Sequence, residues 1–169
     1  MAFSTSKMTE KAQEAIVAAQ RMAEERQHTQ IEPEHLLYVL VTQESGVVPA
    51  VIERLGVQPS AVLAALEPAL AGMARASGPT QVQLSSRLRR VLDTAASEAE
   101  RLKDEYVSTE HFLLALADDQ RGAAGQVLRD LGITKDRLYE GLQAVRGASA
   151  SRPPPPRPPT RRSSSTAGT

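Results

Sequence analysis

The sequence predicts an all-α fold: eight short helices forming two tandem four-helix repeats with pseudo-two-fold symmetry, followed by a disordered tail. Three observations carry that prediction. First, the chain repeats itself at an offset of 76 residues. Ile31-Glu32-Pro33-Glu34-His35-Leu36-Leu37 returns as Val107-Ser108-Thr109-Glu110-His111-Phe112-Leu113, and Val51, Leu55, Gly56 and Val57 return as Val127, Leu131, Gly132 and Ile133. Upstream, Thr9, Ile16, Ala19 and Ala23 map onto Ser85, Leu92, Ala95 and Ala99 at the same offset. Second, aromatics make up only 3% of the chain, Ala and Leu are abundant and β-branched runs are missing, a composition that favours helices. Third, apolar residues in each copy recur at three- and four-residue spacings, interrupted by Gly or Pro. Duplicated units pack against each other, so their junction is a candidate binding surface.

The first helix is predicted near 9–26, with Thr9 as its N-cap and Ala12, Ala15, Ile16, Ala19, Met22 and Ala23 on one face. The second runs near 33–43: Pro33 suits a first helical position, and Leu36, Leu37 and Leu40 form the buried stripe. The third, near 48–55, stops at Gly56, which admits the left-handed conformation that ends helices. The fourth starts near Pro59, buries Val62, Leu63 and Leu66, and is expected to end at Pro68. In the second copy, a helix near 85–102 carries Leu88, Val91, Leu92, Ala95, Ala99 and Leu102, the clearest amphipathic pattern in the chain. Helices near 109–118 (capped by Ser108), 123–131 (stopped by Gly132) and 135–146 (capped by Thr134) complete the plan. Repeat one therefore spans 5–72, a small-residue linker 73–80, and repeat two 81–147. From 148 to 169 the Pro-, Arg- and Ser-rich sequence cannot build a core and is expected to be disordered with local polyproline II.

The zero net charge conceals an uneven distribution. The tail holds Arg152, Arg157, Arg161 and Arg162 and no acid, which leaves residues 1–147 at a net of −4. A mildly acidic body argues against nucleic acid as a ligand, because phosphate neutralisation needs clustered Lys and Arg. Without cysteine, disulfides and thiol chemistry are excluded. There is no secretory signal pattern at the start and no run near the roughly 18 apolar residues of a membrane span, so the expectation is a cytoplasmic protein.

Chemistry is scarce. No Gly-x-x-x-x-Gly-Lys-Ser/Thr loop, Gly-x-Ser-x-Gly elbow or His-Glu-x-x-His pair occurs, so no enzyme activity, cofactor or metal is expected. His35 and His111 hold equivalent positions, where a partly buried histidine bonded to a neighbouring turn is the simpler reading. Glu34 and Glu110 each lie in the first turn of a helix, where free N–H groups and the helix dipole stabilise a carboxylate. They are also candidate anionic pockets for cationic side chains of a partner, and both are expected to be exposed. The leucine stripes read as core first, with a leftover apolar strip available to a peptide.

The paired Glu-His-Leu-Leu and Glu-His-Phe-Leu motifs, each followed by an apolar helix closing in Leu-Gly, resemble the N-terminal double-repeat domain of Clp-family AAA+ unfoldases. The string Ile31 to Leu36 looks most like the ClpB-type disaggregases of that family, and the similarity covers residues 1–147. The resemblance implies a non-catalytic module that captures unfolded or aggregated polypeptides, or Clp adaptor proteins, for ATPase rings that follow it. It puts the substrate-binding surface at Thr9, Asp104 and Glu110, and the glutamates that related unfoldases use toward phosphoarginine at Glu34 and Glu110. Of the family's apolar groove on the fifth helix, Leu92 fits, whereas Thr94 and Glu98 stand where apolar side chains are expected. An alternative with the same fold is a free-standing adaptor or regulator of a Clp unfoldase or protease. Isolated, the chain is expected to be a monomer, because hexamer formation in the family belongs to the ATPase rings. The tail departs from the family, and codons can be chosen for it whose neighbouring frame spells a string resembling the family's linker and the start of its ATPase. The chain thus reads as truncated and frame-shifted after Gly147.

Overall fold

The computed structural model describes residues 5–76 and 81–151. Among them are eight α-helices: α1 (Glu10–Glu25), α2 (Pro33–Thr42), α3 (Val47–Arg54), α4 (Pro59–Ala71), α5 (Ser86–Arg101), α6 (Thr109–Ala117), α7 (Ala123–Asp130) and α8 (Lys135–Ser151). Two dipeptide strands, β1 (Gln30–Ile31) and β2 (Gln83–Leu84), pair in parallel.

Helix starts follow local chemistry. Thr9 Oγ1 accepts from Ala12 N at 3.2 Å and Ser85 Oγ from Leu88 N at 3.0 Å, the same cap in each copy. Thr134 Oγ1 accepts from Arg137 N at 3.3 Å at the start of α8. Gly56 and Gly132 take positive φ values of 85° and 79° just past α3 and α7, as their C-terminal positions require.

Helices α2 and α6 are buried on nearly every side, so they form the centre. Around them pack α1 and α5, each through a stripe: Ala12, Ala15, Ala19 and Ala23 on α1, and Leu88, Val91, Leu92, Ala95 and Ala99 on α5. Contacts run across the copies as well as within them. Helix α3 touches α6 as α7 touches α2, and α3 touches α8 as α7 touches α4. The short pairings are also exchanged. Ile31 of the first copy pairs with Leu84 of the second, and Met8 of the first pairs with Val107 of the second. These two contacts map onto each other at the 76-residue offset, which is what a pseudo-two-fold axis between the copies demands.

Two boundaries differ from expectation. Pro68 does not end the fourth helix; it lies inside α4, which runs on to Ala71. The proline forfeits one ladder hydrogen bond, but the last turn carries Leu70, fully buried beside Leu66. Burying such a side chain contributes about 1.5–3 kcal/mol and offsets the loss. Helix α8 continues to Ser151 instead of stopping at 146, because Gly147 costs only roughly 1 kcal/mol inside a helix and no proline occurs before Pro153. The Pro-, Arg- and Ser-rich tail beyond Ser151 lies outside the described residues. At the start of the linker, Ala76 N donates to Gln27 O at 2.8 Å and Arg75 bridges to His28. Among the described residues no single helix is long and apolar enough to cross a membrane.

Candidate functional site

The strand exchange builds one edge of the molecule. Thr9 N donates to Val107 O at 3.0 Å and Val107 N to Lys7 O at 2.7 Å, which seats the segment before α1 against the loop between α5 and α6. In that loop Lys103 adopts a left-handed φ of 60° and turns the chain back. Asp104 follows, with Oδ2 at 2.7 Å from His111 Nε2. Ser108 N donates to His111 Nδ1 at 2.8 Å, so Nδ1 is an acceptor and the neutral ring carries its proton on Nε2, pointing at Asp104. The histidine, buried at the start of α6, thereby fixes the loop. Half-buried Glu110 sits one residue earlier in the same helical turn, and exposed Tyr106 lies four residues before Glu110, in the loop that leads into α6. Thr9, Asp104 and Glu110 are therefore gathered at one edge.

Two other predicted site residues are not at a surface. Glu34 was expected to be exposed, and it is 1% exposed. Its Oε2 accepts from Arg87 Nη2 at 3.0 Å and from Ala124 N at 2.9 Å, so α2 is bound to α5 and to the first turn of α7. The pocket is already filled by a cation of this chain. Glu32 and Asp119 stand 3.5 Å from the same guanidinium. Burial works against the Arg87 charge, but the Glu34 hydrogen bond and these carboxylates outweigh it and hold the pKa above its ordinary value. Leu92, expected in an open groove, is fully packed in the core, because the stripe of α5 that carries it faces α6.

In the first copy His28 takes the place of Asp104. His28 Nδ1 lies 2.7 Å from His35 Nε2, and Glu32 N donates to His35 Nδ1 at 2.9 Å. By the same reasoning His35 carries its proton on Nε2 and gives it to His28, which is also hydrogen-bonded to the Leu70 backbone. Burial, then the neighbouring His28 and Arg26 charges, lower His35 to about 4, and burial with Arg26 and Arg75 lowers His28. Both rings are neutral structural parts at neutral pH. Among the described residues no group of three or more His, Cys, Asp or Glu side chains is placed to hold a metal ion.

Glu98 was read as an interruption of an apolar groove. It is 4% exposed, with Lys135 Nζ 2.7 Å from its Oε2 and the Tyr139 hydroxyl donating to its Oε1. Burial pushes its pKa up, but the hydrogen bonds from Lys135 and Tyr139 win and hold it below the usual carboxylate value. The signal was available in the repeat alignment: Glu98, Lys135 and Tyr139 stand where the first copy has Met22, Pro59 and Leu63. Three polar residues replace three apolar ones together. Arg87, by contrast, had no local signature.

Residues 7–131 match the family model of the Clp repeat N-terminal domain. The chaperone protein ClpB of Nitratidesulfovibrio vulgaris is 37% identical over 147 residues, which cover 84% of this chain and 17% of that protein. The chain thus spans about one sixth of the length of the curated relatives it matches. Among solved structures, the Hsp104 N-terminal domain of Candida albicans superposes with a TM-score of 0.73 at 22% identity, over 84% of this chain and 93% of that one. A ClpV N-domain in complex with a VipB peptide gives a TM-score of 0.67 at 20% identity, over 83% and 87% of the two chains. At those identities the structures establish a shared fold, and the family match with the ClpB relationship establishes descent. The chain belongs to the family of Clp repeat N-terminal domains.

Proposed function

We propose that this domain is the client- or adaptor-binding module of a ClpB-type protein-disaggregating chaperone, acting by binding alone, with residues 5–147 as its folded unit. The observation that carries the reading is the edge that brings Thr9, Asp104 and Glu110 together while Glu34 and Leu92 are withdrawn into the interior. The edge combines an exposed aromatic ring, Tyr106, with half-buried carboxylates, so an unfolded segment meets apolar surface and acceptors for its backbone or cationic groups. The ClpV N-domain with its bound peptide supports the reading, because a domain of the same fold takes a polypeptide ligand.

The test is a titration of the chain with a permanently unfolded model protein, followed by backbone NMR. Shifts are expected at Thr9, Asp104, Tyr106 and Glu110, and Tyr106→Ala with Glu110→Ala should weaken binding with the fold intact by circular dichroism. Shifts confined to other parts of the surface, or none at millimolar client, would refute it.

A further inference from the structure

A second surface differs in chemistry from the edge just described. The outward face of α5 and the connection from α6 to α7 enclose a cleft of about 570 Å³, with Arg87, Arg90 and Thr94 on one wall and Asp119, Arg121 and Gly122 on the other. The acids around it are engaged. Asp119 faces Arg87 at 3.5 Å and accepts from Arg121 N at 3.3 Å through its other oxygen, and Asp118 stands 3.6 Å from Lys135. Arg87 is held by Glu34. The guanidinium groups of Arg90 and Arg121, both exposed, have no hydrogen-bond or ionic partner among the described residues. Arg129 adds a third cation without a carboxylate, since its guanidinium donates to the carbonyls of Asp119 and Gln120 and to Gln126 Oε1. Asp93, on the same helix as Arg90, is exposed and forms no ion pair among the described residues. The cleft is thus a focus of uncompensated guanidinium charge on a body whose first 147 residues are net negative.

The duplication supplies an internal control. At the 76-residue offset, Arg90 corresponds to Glu14 and Arg121 to Ser45, on a backbone with the same glycine N-cap (Gly46 for Gly122). There Lys11, the counterpart of Arg87, lies 3.8 Å from Glu14 and donates to Glu44 O at 3.0 Å. Shared ancestry accounts for the shape of the two places and leaves the arginines of the second unexplained.

We infer that the cleft between α5 and the α6–α7 connection binds acidic segments of polypeptide clients, with Arg90 and Arg121 pairing to Asp or Glu carboxylates. The inference rests on the client-binding reading and adds to it a class of segment. Guanidinium forks match carboxylates in bidentate geometry, and the cleft has room for a few side chains. A nucleic acid would need an extended basic track, which the surrounding acids do not allow. The family resemblance led to the expectation of an apolar groove on this helix. Leu92 and Glu98 are buried, however, and the face left to solvent carries arginine.

Fluorescence anisotropy with short labelled peptides tests the proposal. A Glu-rich peptide is expected to bind at least tenfold tighter than its Gln isostere, and to weaken steeply with added salt. Arg90→Glu with Arg121→Glu should reduce affinity by on the order of a hundredfold, tenfold for each charge-assisted pair lost. Both side chains are exposed, so circular dichroism should show an intact fold. Glu14→Arg with Ser45→Arg should create acidic-peptide binding in the first copy, a gain that misfolding cannot produce. Equal affinity for the Glu and Gln peptides, indifference to the double charge reversal, or displacement by single-stranded nucleic acid at lower concentration than by acidic peptide would overturn it. The Tyr106 and Glu110 variants keep this cleft intact. Loss of unfolded-client binding in them, with acidic-peptide binding retained, would uphold both readings. Absence of unfolded-client binding in the unmodified chain, with acidic-peptide binding retained, would sink the client reading alone.

Discussion

Glu34→Ala removes a carboxylate that joins the two copies, and its cost can be worked from the geometry. The buried N–H of Ala124, now 2.9 Å from Glu34 Oε2, would lose its acceptor, which costs about 1–3 kcal/mol. The pair with Arg87 adds less. That guanidinium has 40% of its side chain exposed and keeps Glu32 and Asp119 within 3.5 Å, so solvent screening limits the contribution to about 1 kcal/mol. Losing a buried methylene adds roughly 0.8 kcal/mol. The total is about 2–5 kcal/mol. Urea denaturation of Glu34→Ala, Glu34→Gln and Glu110→Ala measures it. The Gln variant keeps an acceptor for Ala124 and should lose about 1 kcal/mol. Glu110→Ala, at the half-buried counterpart, should lose less than Glu34→Ala. A loss below about 1 kcal/mol for Glu34→Ala would show that the carboxylate does not bind the copies together.

Other outcomes follow from the same structure. His35 titrates near 4 when folded and near 6.5 when unfolded, so the unfolded chain binds the extra proton first and stability falls as pH drops from about 6.5 to 4, then levels. The loss should approach about 3 kcal/mol, read from thermal or urea melts across that window. His28→Asp copies the Asp104–His111 arrangement into the first copy, giving His35 a carboxylate partner, and should flatten the slope. A slope unchanged by that substitution would remove the histidine pair as its source. Leu37→Ala and Leu113→Ala, both fully buried in the central helices, should each cost roughly 2–5 kcal/mol in denaturant midpoint analysis; a cost under 1 kcal/mol would contradict the central placement of α2 and α6.

The helices were legible because their determinants are local. Apolar spacing, the hydroxyls of Thr9 and Ser85, and the left-handed glycines 56 and 132 act within one or two turns. The symmetry was legible because the copies still share motifs. What escaped was set by distant partners. A first-turn glutamate is exposed or buried according to what packs over it, and Arg87 lies 53 residues from Glu34. Pro68 looked like a stop because its local penalty is visible in sequence, whereas the burial of Leu70 is not. The edge carrying Thr9, Asp104 and Glu110 came from resemblance; spacing alone would not have joined residues about a hundred positions apart. Glu98, Lys135 and Tyr139 are legible together where the two copies differ, opposite the apolar Met22, Pro59 and Leu63.

The exchanged pairings, Met8 with Val107 and Ile31 with Leu84, bear on how such a chain arose. Each copy borrows a strand partner from the other, so neither finishes its own backbone bonding. Two separate copies of a single ancestral unit, meeting about a two-fold axis, would satisfy the same bonds reciprocally. The present chain then retains the anatomy of a homodimer fused end to end. Fusion let the halves diverge: a histidine pair in one stands against an aspartate–histidine pair in the other, and an acidic wall against an arginine cleft. A symmetric ancestor was bound to present each surface twice, and the joined chain is free to present two different ones.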